Sequence, residues 1–523
     1  MSETDRRPLR TPRARWIAAA LLAWPVGAAL AQPQGVRIGG RIGDHSTQDQ
    51  CADMTYAGDS GVVLYVSASA TGDGSGGCWQ NAFTTLTAAF DAAQANPHVS
   101  EIWVARGVYT PTDSPDERDA SFELVNGVRV YGGFSGIESR RSDRDPDPVT
   151  NGTVLSGDTL GDDDGAMQTR SDNVRHVVRA DGVDASTVLN GFAILGGQAD
   201  GDDGTDGRSG GGLYVADADV RIRSCVFFDN FAAEQGGGAY VQAGAPLFVG
   251  CVFGLNRAAD GAGLANGSMA DARVETTDFL SNTATGAGGG AANLAAARPN
   301  FVSCRFLGNE AYLGGAVCNL GTSSPRFVNG LFSGNVATIG GGAVNADAAQ
   351  ATYVNCVLSF NAGIAAGGGM ASGMNTLTVL RNAIVWGNLD GTGDIEGAQI
   401  LRENAATQTY VDYSCVEGWS GALGGQGNHG LDPSFVDPSG ADGVFGTLDD
   451  DLRLAGVSPC IDAGANTLVA PGLFTVLGAA GPVDLDGLRR FVDDPLTPDT
   501  GAGAPPVIDM GPYEFDRYPP PPG

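Results

Sequence analysis

Three glycine-rich loops of this chain concentrate carboxylates densely enough to hold a cation. Asp162, Asp163 and Asp164 stand beside Asp158; Asp202, Asp203 and Asp206 stand beside Asp200; and Asp442 precedes Asp449, Asp450 and Asp451. Oxygen-rich loops of this kind suit Ca²⁺, which takes roughly six to eight oxygens in loose geometry. None carries the glycine and bidentate glutamate of an EF-hand loop. A loop that merely keeps its carboxylates in water has the same composition. Calcium is the one cofactor these residues suggest, and no catalytic residue is assigned. All thirty basic residues are arginine, so no lysine is available as a base. No Cys-x-x-Cys occurs, and His45, His98, His176 and His429 are scattered, so the sequence offers no zinc site. Nine cysteines leave at least one unpaired. Cys51 with Cys78 and Cys415 with Cys460 are plausible staples. Cys225, Cys251, Cys304 and Cys356 share one repeat position and read as small buried thiols, although stacking would bring Cys225 and Cys251 within disulfide range.

What positions these loops is a repeat. Asn230, Asn256, Asn282, Asn309, Asn335, Asn361 and Asn388 recur at intervals of 26 or 27 residues. Three residues before each stands Phe227, Phe253, Phe279, Phe306, Phe332, Leu358 or Val385, and glycine clusters recur in the same phase. A fixed period of this size marks a solenoid. The glycine runs exclude a helical repeat. Eight residues before each Asn, an unbroken apolar column runs through Ile222, Phe248, Val274, Phe301, Phe327, Tyr353 and Leu380, flanked on both sides by mixed residues, which is the alternation of a strand. Stacking such strands gives an all-β, single-stranded parallel β-helix. Glycines turn its corners, and the asparagines form an internal ladder. Earlier apolar segments near the same spacing start the helix by Ile102, for about 11 coils and roughly 50 Å of axis. Phe83, Leu86, Phe90 and Ala93 fit one face of a short capping helix.

The Phe-x-x-Asn and Gly-Gly-Ala-Val motifs (Phe227 to Asn230, Gly314 to Val317, Gly341 to Val344) resemble the repeats of polymorphic outer membrane proteins. The resemblance implies a secreted or surface-exposed right-handed parallel β-helix, a pectin-lyase-like solenoid, several members being adhesins. Residues 62–112 resemble the opening of bacterial β-helix repeat proteins. Ser458 to Gly464, Val483 to Gly487 and Asp509 to Glu514 are similar to a choice-of-anchor Q domain, a C-terminal module of exported β-helix proteins. The expected organisation is a signal peptide at 1–31, an irregular leader at 32–61, the capped β-helix at 62–420, the loop-rich C-terminal module at 421–515 and a Pro-rich tail at 516–523. The signal peptide rests on five N-terminal arginines, the apolar run Trp16 to Leu30 and the Ala29-Leu30-Ala31 site. That run is too short and interrupted to span a bilayer, and no later segment qualifies, so no transmembrane segment is expected in the mature chain.

The formal charge is −30, and −33 once residues 1–31 are removed with their five arginines and two acids. Such a chain repels phosphate backbones, which argues against nucleic acid as a partner. Two functions are weighed. One is an exported non-catalytic β-helix protein, adhesin-like or structural, extracellular or on the cell surface or outer membrane, with an extracellular glycan or a host or cell-surface protein as partner. The alternative is a polysaccharide lyase or glycoside hydrolase acting on an extracellular glycan. Cleavage needs paired carboxylates, or a metal-held acid facing a base, beside a groove, and the aligned outward columns offer mainly valines and isolated arginines. The column Val249, Val302, Val328 and Val354 faces out and should be covered, by a partner or by the C-terminal module.

Overall fold

Why each coil closes can be read from one repeat. In a computed structural model that describes residues 61–517 except 164–168, 203, 205, 374, 394 and 405, the chain runs through four short strands per turn. One coil supplies Arg221–Arg223, Val226–Phe228, Phe231–Ala232 and Ala239–Gly244. Each pairs in parallel with its counterpart in the next coil, as Arg221, Ile222 and Arg223 do with Leu247, Phe248 and Val249. The result is a parallel β-helix of about 11 coils with ladders of 12, 11, 10 and 8 strands. The signal peptide, most of the leader, Cys51 and most of the Pro-rich tail lie outside the described residues.

The apolar column expected to point inward does so, Ile222 through Leu380 being at most 1% exposed. Phe227, Phe253, Phe279, Phe306 and Phe332 form a second internal column, with ring centroids 4.5–5.1 Å apart along the axis. Strand spacing fixes that repeat, so aromatic stacking is a consequence of the ladder and adds to it. From Asn256 to Asn388, each corner Asn accepts at its side-chain oxygen from the previous coil's Asn twice, and Asn230 at the start accepts from Gly197 N–H at 3.0 Å. Asn309 Oδ1 takes the backbone N–H of Asn282 at 3.0 Å and its Nδ2 at 2.9 Å, while Asn309 Nδ2 also donates to Phe279 O at 2.9 Å. The amide thus satisfies backbone groups that a tight corner would otherwise bury unpaired. Gln399 takes over as acceptor at the end, receiving Asn388 Nδ2 at 2.7 Å. A second ladder, Asn266, Asn293, Asn319 and Asn345, runs through the 10-stranded sheet with Nδ2 to Oδ1 distances of 2.7–2.9 Å. Only glycine fits the other corner: at Gly288, with φ +67°, a Cβ would lie 2.1 Å from Ala291 O.

At the N-terminal end, helix α1 (Leu86–Ala95) buries Leu86, Ala89, Phe90 and Ala93 against the core of the first coils. Thr85 caps it by accepting from Ala88 N–H at 3.3 Å. After the last strand of the 11-stranded ladder, Cys415–Val416, the chain folds back along the outside of the coils. Val302, Val328 and Val354 are covered by Val469, Phe474 and Ile508. Of the two covers weighed for the valine stripe, the C-terminal segment is therefore the one that lies there. Val249, two coils further out beyond Glu275, is only half-buried. On the adjoining face, Leu280, Leu307, Leu331, Val357 and Ile384 pack against Leu452, Leu454, Ile461, Met510 and Tyr513.

Three asparagines between these two faces hold the segment in register. Asn329 Nδ2 donates to Val483 O at 2.8 Å, Asn355 Nδ2 to Asp509 O at 2.8 Å, and Asn382 Oδ1 accepts from Ala465 N–H at 2.8 Å. All three have φ of 49–52°, a conformation asparagine tolerates better than most residues. The same corner carries Ser224, Gly250, Thr276 and Ser303 in earlier coils and becomes Asn where the C-terminal segment docks.

Candidate functional site

Among the described residues, the first and third acidic loops each bring three carboxylates within 4.8 Å of one another, Asp158 with Asp162 and Asp163 in the first, and the second does not. In the first, Asp158 turns back on its own loop, accepting the N–H groups of Gly161, Asp162 and Asp163 at 2.7–3.3 Å. Asp163 accepts Asn173 Nδ2 at 2.9 Å and lies 3.6 Å from Arg170 Nε. Arg170, itself buried, pairs with Asp229 at 2.5 Å. Burial raises Asp163, with Asn173 and Arg170 acting against it. Asp164 lies outside the described residues. In the second loop the carboxylates are taken up by arginines, Asp200 by Arg118 at 2.6 Å and Asp206 by Arg179 at 2.9 Å. Asp203 lies outside the described residues, and Asp202 joins no three-ligand cluster with its neighbours among those described.

The third loop gathers Asp442, Asp449 and Asp450, with ligand oxygens all within 4.8 Å of one another. The Thr447 hydroxyl sits between them, 2.6 Å from Asp449 Oδ1 and 3.1 Å from Asp450 Oδ1. Burial pushes Asp450 up to about 6. Asp451, expected with this group, turns to Arg453 instead, at 2.5 and 2.8 Å. Three carboxylate oxygens would supply about half of what Ca²⁺ requires. A further trio, Asp462, Asp493 and Asp499, was not among the sequence candidates because its members are 31 and 6 residues apart.

Acid–base pairs on the outer faces are closed. Arg273 bonds Glu275 and donates through Nη2 to Thr475 O at 3.0 Å, while Glu275 accepts Leu477 N–H at 2.6 Å. On the 11-stranded ladder Arg305 grips Asp278 through two bonds of 2.6 and 2.7 Å. Near the N-terminal end Glu101 accepts from Trp103 Nε1 at 2.8 Å and from Arg141 at 2.6 Å, and Arg141 lies 4.8 Å from the Tyr131 ring centroid. A carboxylate whose oxygens are taken up by a guanidinium offers no open binding position.

Cysteine pairing departs from the sequence reading in one place. Cys225, Cys251, Cys304 and Cys356 are free and buried, and Cys78 is disulfide-bonded. Cys415 and Cys460 are also free, yet each lies within 4.8 Å of the other and of a ring nitrogen of His429. The scattered histidines concealed this cluster, since the fold brings together positions 14 and 31 residues apart. The Cys415 thiol and then His429 draw Cys460 below the usual thiol range, and the same hydrogen bond together with burial pushes Cys415 up.

The C-terminal segment also buries a set of carboxyls. Asp462, Asp484, Asp494, Asp509 and Glu514 are at most 6% exposed, as is Arg490 at 5%. Arg490 Nη1 lies 3.4 Å from Glu514, and Arg517 holds Asp494 well below the carboxylate range through bonds of 2.7 and 2.8 Å. Burial pushes Glu514 up to about 7, Asp462 up to about 6 and Asp509 well above its ordinary value. A carboxyl raised in the folded state binds a proton that the unfolded chain releases, so its contribution is present at low pH and lost as pH rises through the folded value. Docking should therefore strengthen between pH 8 and pH 5.5. Below that, Asp494 opposes the trend, because a depressed carboxyl loses its contribution as pH falls. The expected result is a melting temperature several degrees higher at pH 5.5 than at pH 8, with a smaller difference in Glu514→Gln, the remainder being carried by Asp462.

No protein-family model matches the chain, and no curated protein matches it. Among solved structures, that of pectate lyase Pel9A is similar over 90% of this chain and 100% of the other, at 12% identity and a TM-score of 0.45.

Proposed function

We propose that this protein is an exported, non-catalytic β-helix, adhesin-like or structural, that presents its outer faces to an extracellular glycan or a cell-surface protein. The observation that carries the reading is the closure of the Arg273–Glu275 and Asp278–Arg305 pairs on the two long ladders, where a groove enzyme would keep acid and base open. Export to the extracellular space or the cell surface or outer membrane rests on the N-terminal sequence, and the repeat and C-terminal motifs resembling polymorphic outer membrane proteins and a choice-of-anchor Q domain agree with it. No helix among the described residues is long and apolar enough to cross a membrane. The net charge of −30 disfavours anionic partners at low salt.

A glycan array run beside a reducing-sugar assay on acidic and neutral polysaccharides tests this reading. Saturable binding of one glycan class without release of new ends is expected. Release of unsaturated or reducing ends at a rate proportional to protein would contradict it and assign the polysaccharide lyase or glycoside hydrolase alternative.

A further inference from the structure

Cys415, His429 and Cys460 come from three segments that the backbone holds in place. Cys415 lies in the last strand of the 11-stranded ladder. His429 stacks directly on it through a parallel bridge, with Val416 N–H donating to His429 O at 2.8 Å and His429 N–H to Ser414 O at 3.1 Å. Cys460 is fixed by Met510 N–H on its carbonyl at 3.0 Å. Both thiols are fully buried. They remain unbonded to each other, whereas Cys78 is closed in a disulfide. His429 Nε2 is buried with no well-formed hydrogen bond, the Cys460 thiol lying beside the ring, an arrangement for a buried polar atom that a ligand or an ion would complete.

We propose that these three residues form a binding site for a borderline-soft divalent cation, with zinc as the fit. Two sulfurs and one imidazole are the donor set such ions select. In a tetrahedral zinc site, ligand atoms lie about 3.5–3.8 Å apart. The present set, all within 4.8 Å, reaches that spacing by small side-chain rotations. On binding, each thiol releases its proton to solvent and its sulfur donates a lone pair to the cation, and a water takes the fourth position. Coordination through Nε2 places the ring proton on Nδ1, so the 3.3 Å contact from Leu431 N–H to Nδ1 is given up. At that length it is a weak bond. The cation would join the final coil at Cys415 to the returning segment at Cys460, which makes the site a latch for the docked C-terminal segment.

The test uses the full chain, reduced and freed of metal, titrated with Co²⁺ as a spectroscopic probe and then with Zn²⁺. One equivalent of Co²⁺ should produce thiolate-to-metal charge-transfer absorption and a tetrahedral d–d envelope, both removed by one equivalent of Zn²⁺. His429→Ala leaves both thiols in place and should weaken Co²⁺ binding by more than about tenfold. Cys460→Ser should abolish the charge-transfer band, with far-ultraviolet circular dichroism confirming the fold of each variant. The proposal is overturned if the wild-type chain gives no charge-transfer band. It is equally overturned if protein isolated without reductant carries a Cys415–Cys460 cross-linked peptide, lighter by two hydrogens, and no bound metal.

Discussion

Replacing Asn282 and Asn309 together with alanine should abolish cooperative folding of the central coils. The double substitution removes two consecutive rungs. It leaves the backbone N–H and one Nδ2 hydrogen of Asn256 without their acceptor, the N–H of residue 282 without Asn309 Oδ1, and the carbonyls of Phe253 and Phe279 without their donors. Asn282 and Asn309 are fully buried, so water cannot replace the lost partners. At about 1 to 3 kcal/mol for each orphaned group, five groups cost on the order of 5 to 15 kcal/mol. That equals the whole stability of an ordinary domain. Because solenoid coils depend on their neighbours, the loss should spread along the axis. Thermal unfolding followed by circular dichroism checks this, with Asn300→Ala, half-buried on the outer face of the same coil, expected to shift the melting temperature by a degree or two. An unchanged melting temperature in the double variant would mean that the ladder is not structural.

Truncation after Trp419 is the second large effect. It strips the cover from Val302, Val328 and Val354 and from the Leu280, Leu307, Leu331, Val357 and Ile384 row. Each uncovered side chain forfeits up to about 1.5 to 3 kcal/mol of burial. The eight lie on consecutive coils, so they join into an exposed apolar patch larger than monomeric proteins tolerate. Strong hydrophobic-dye binding and self-association by light scattering are the expected outcome. A truncated chain that stays monomeric and dye-silent would show that the segment contributes little to covering this face.

The corner Asn column, the apolar column eight residues earlier, the glycine corners and the capping helix were legible because strand stacking turns a period of 26 or 27 into vertical columns that any alignment of the repeat exposes. The outward valines were legible by alternation alone, but what covers them was not. That cover comes from segments such as Val469, Phe474 and Ile508, which lie outside the repeat and have no period to align. The second ladder, Asn266 to Asn345, has only four members, and the same sheet carries Val215 and Val241 in earlier coils. Alignment on one column passes over it. The change from Ser and Thr to Asn329, Asn355 and Asn382 was the available signal for the docking register. Carboxylate clusters were the least legible, since composition cannot distinguish Asp206, turned to Arg179, from Asp449 and Asp450, turned toward each other.

The central claim is that the C-terminal segment seals one face of the β-helix, and thiol labelling of two neighbouring positions tests it most directly. Arg326 and Val328 lie on the same strand and both point outward, but Arg326 is exposed and Val328 is 1% exposed beneath the segment. All seven free cysteines among the described residues are buried, which keeps the background low. In the full chain, Arg326→Cys should react with a maleimide at the rate of a free thiol and Val328→Cys at least about a hundredfold more slowly, since labelling then requires the segment to open. Equal labelling rates at the two positions in the folded full-length protein would contradict the account.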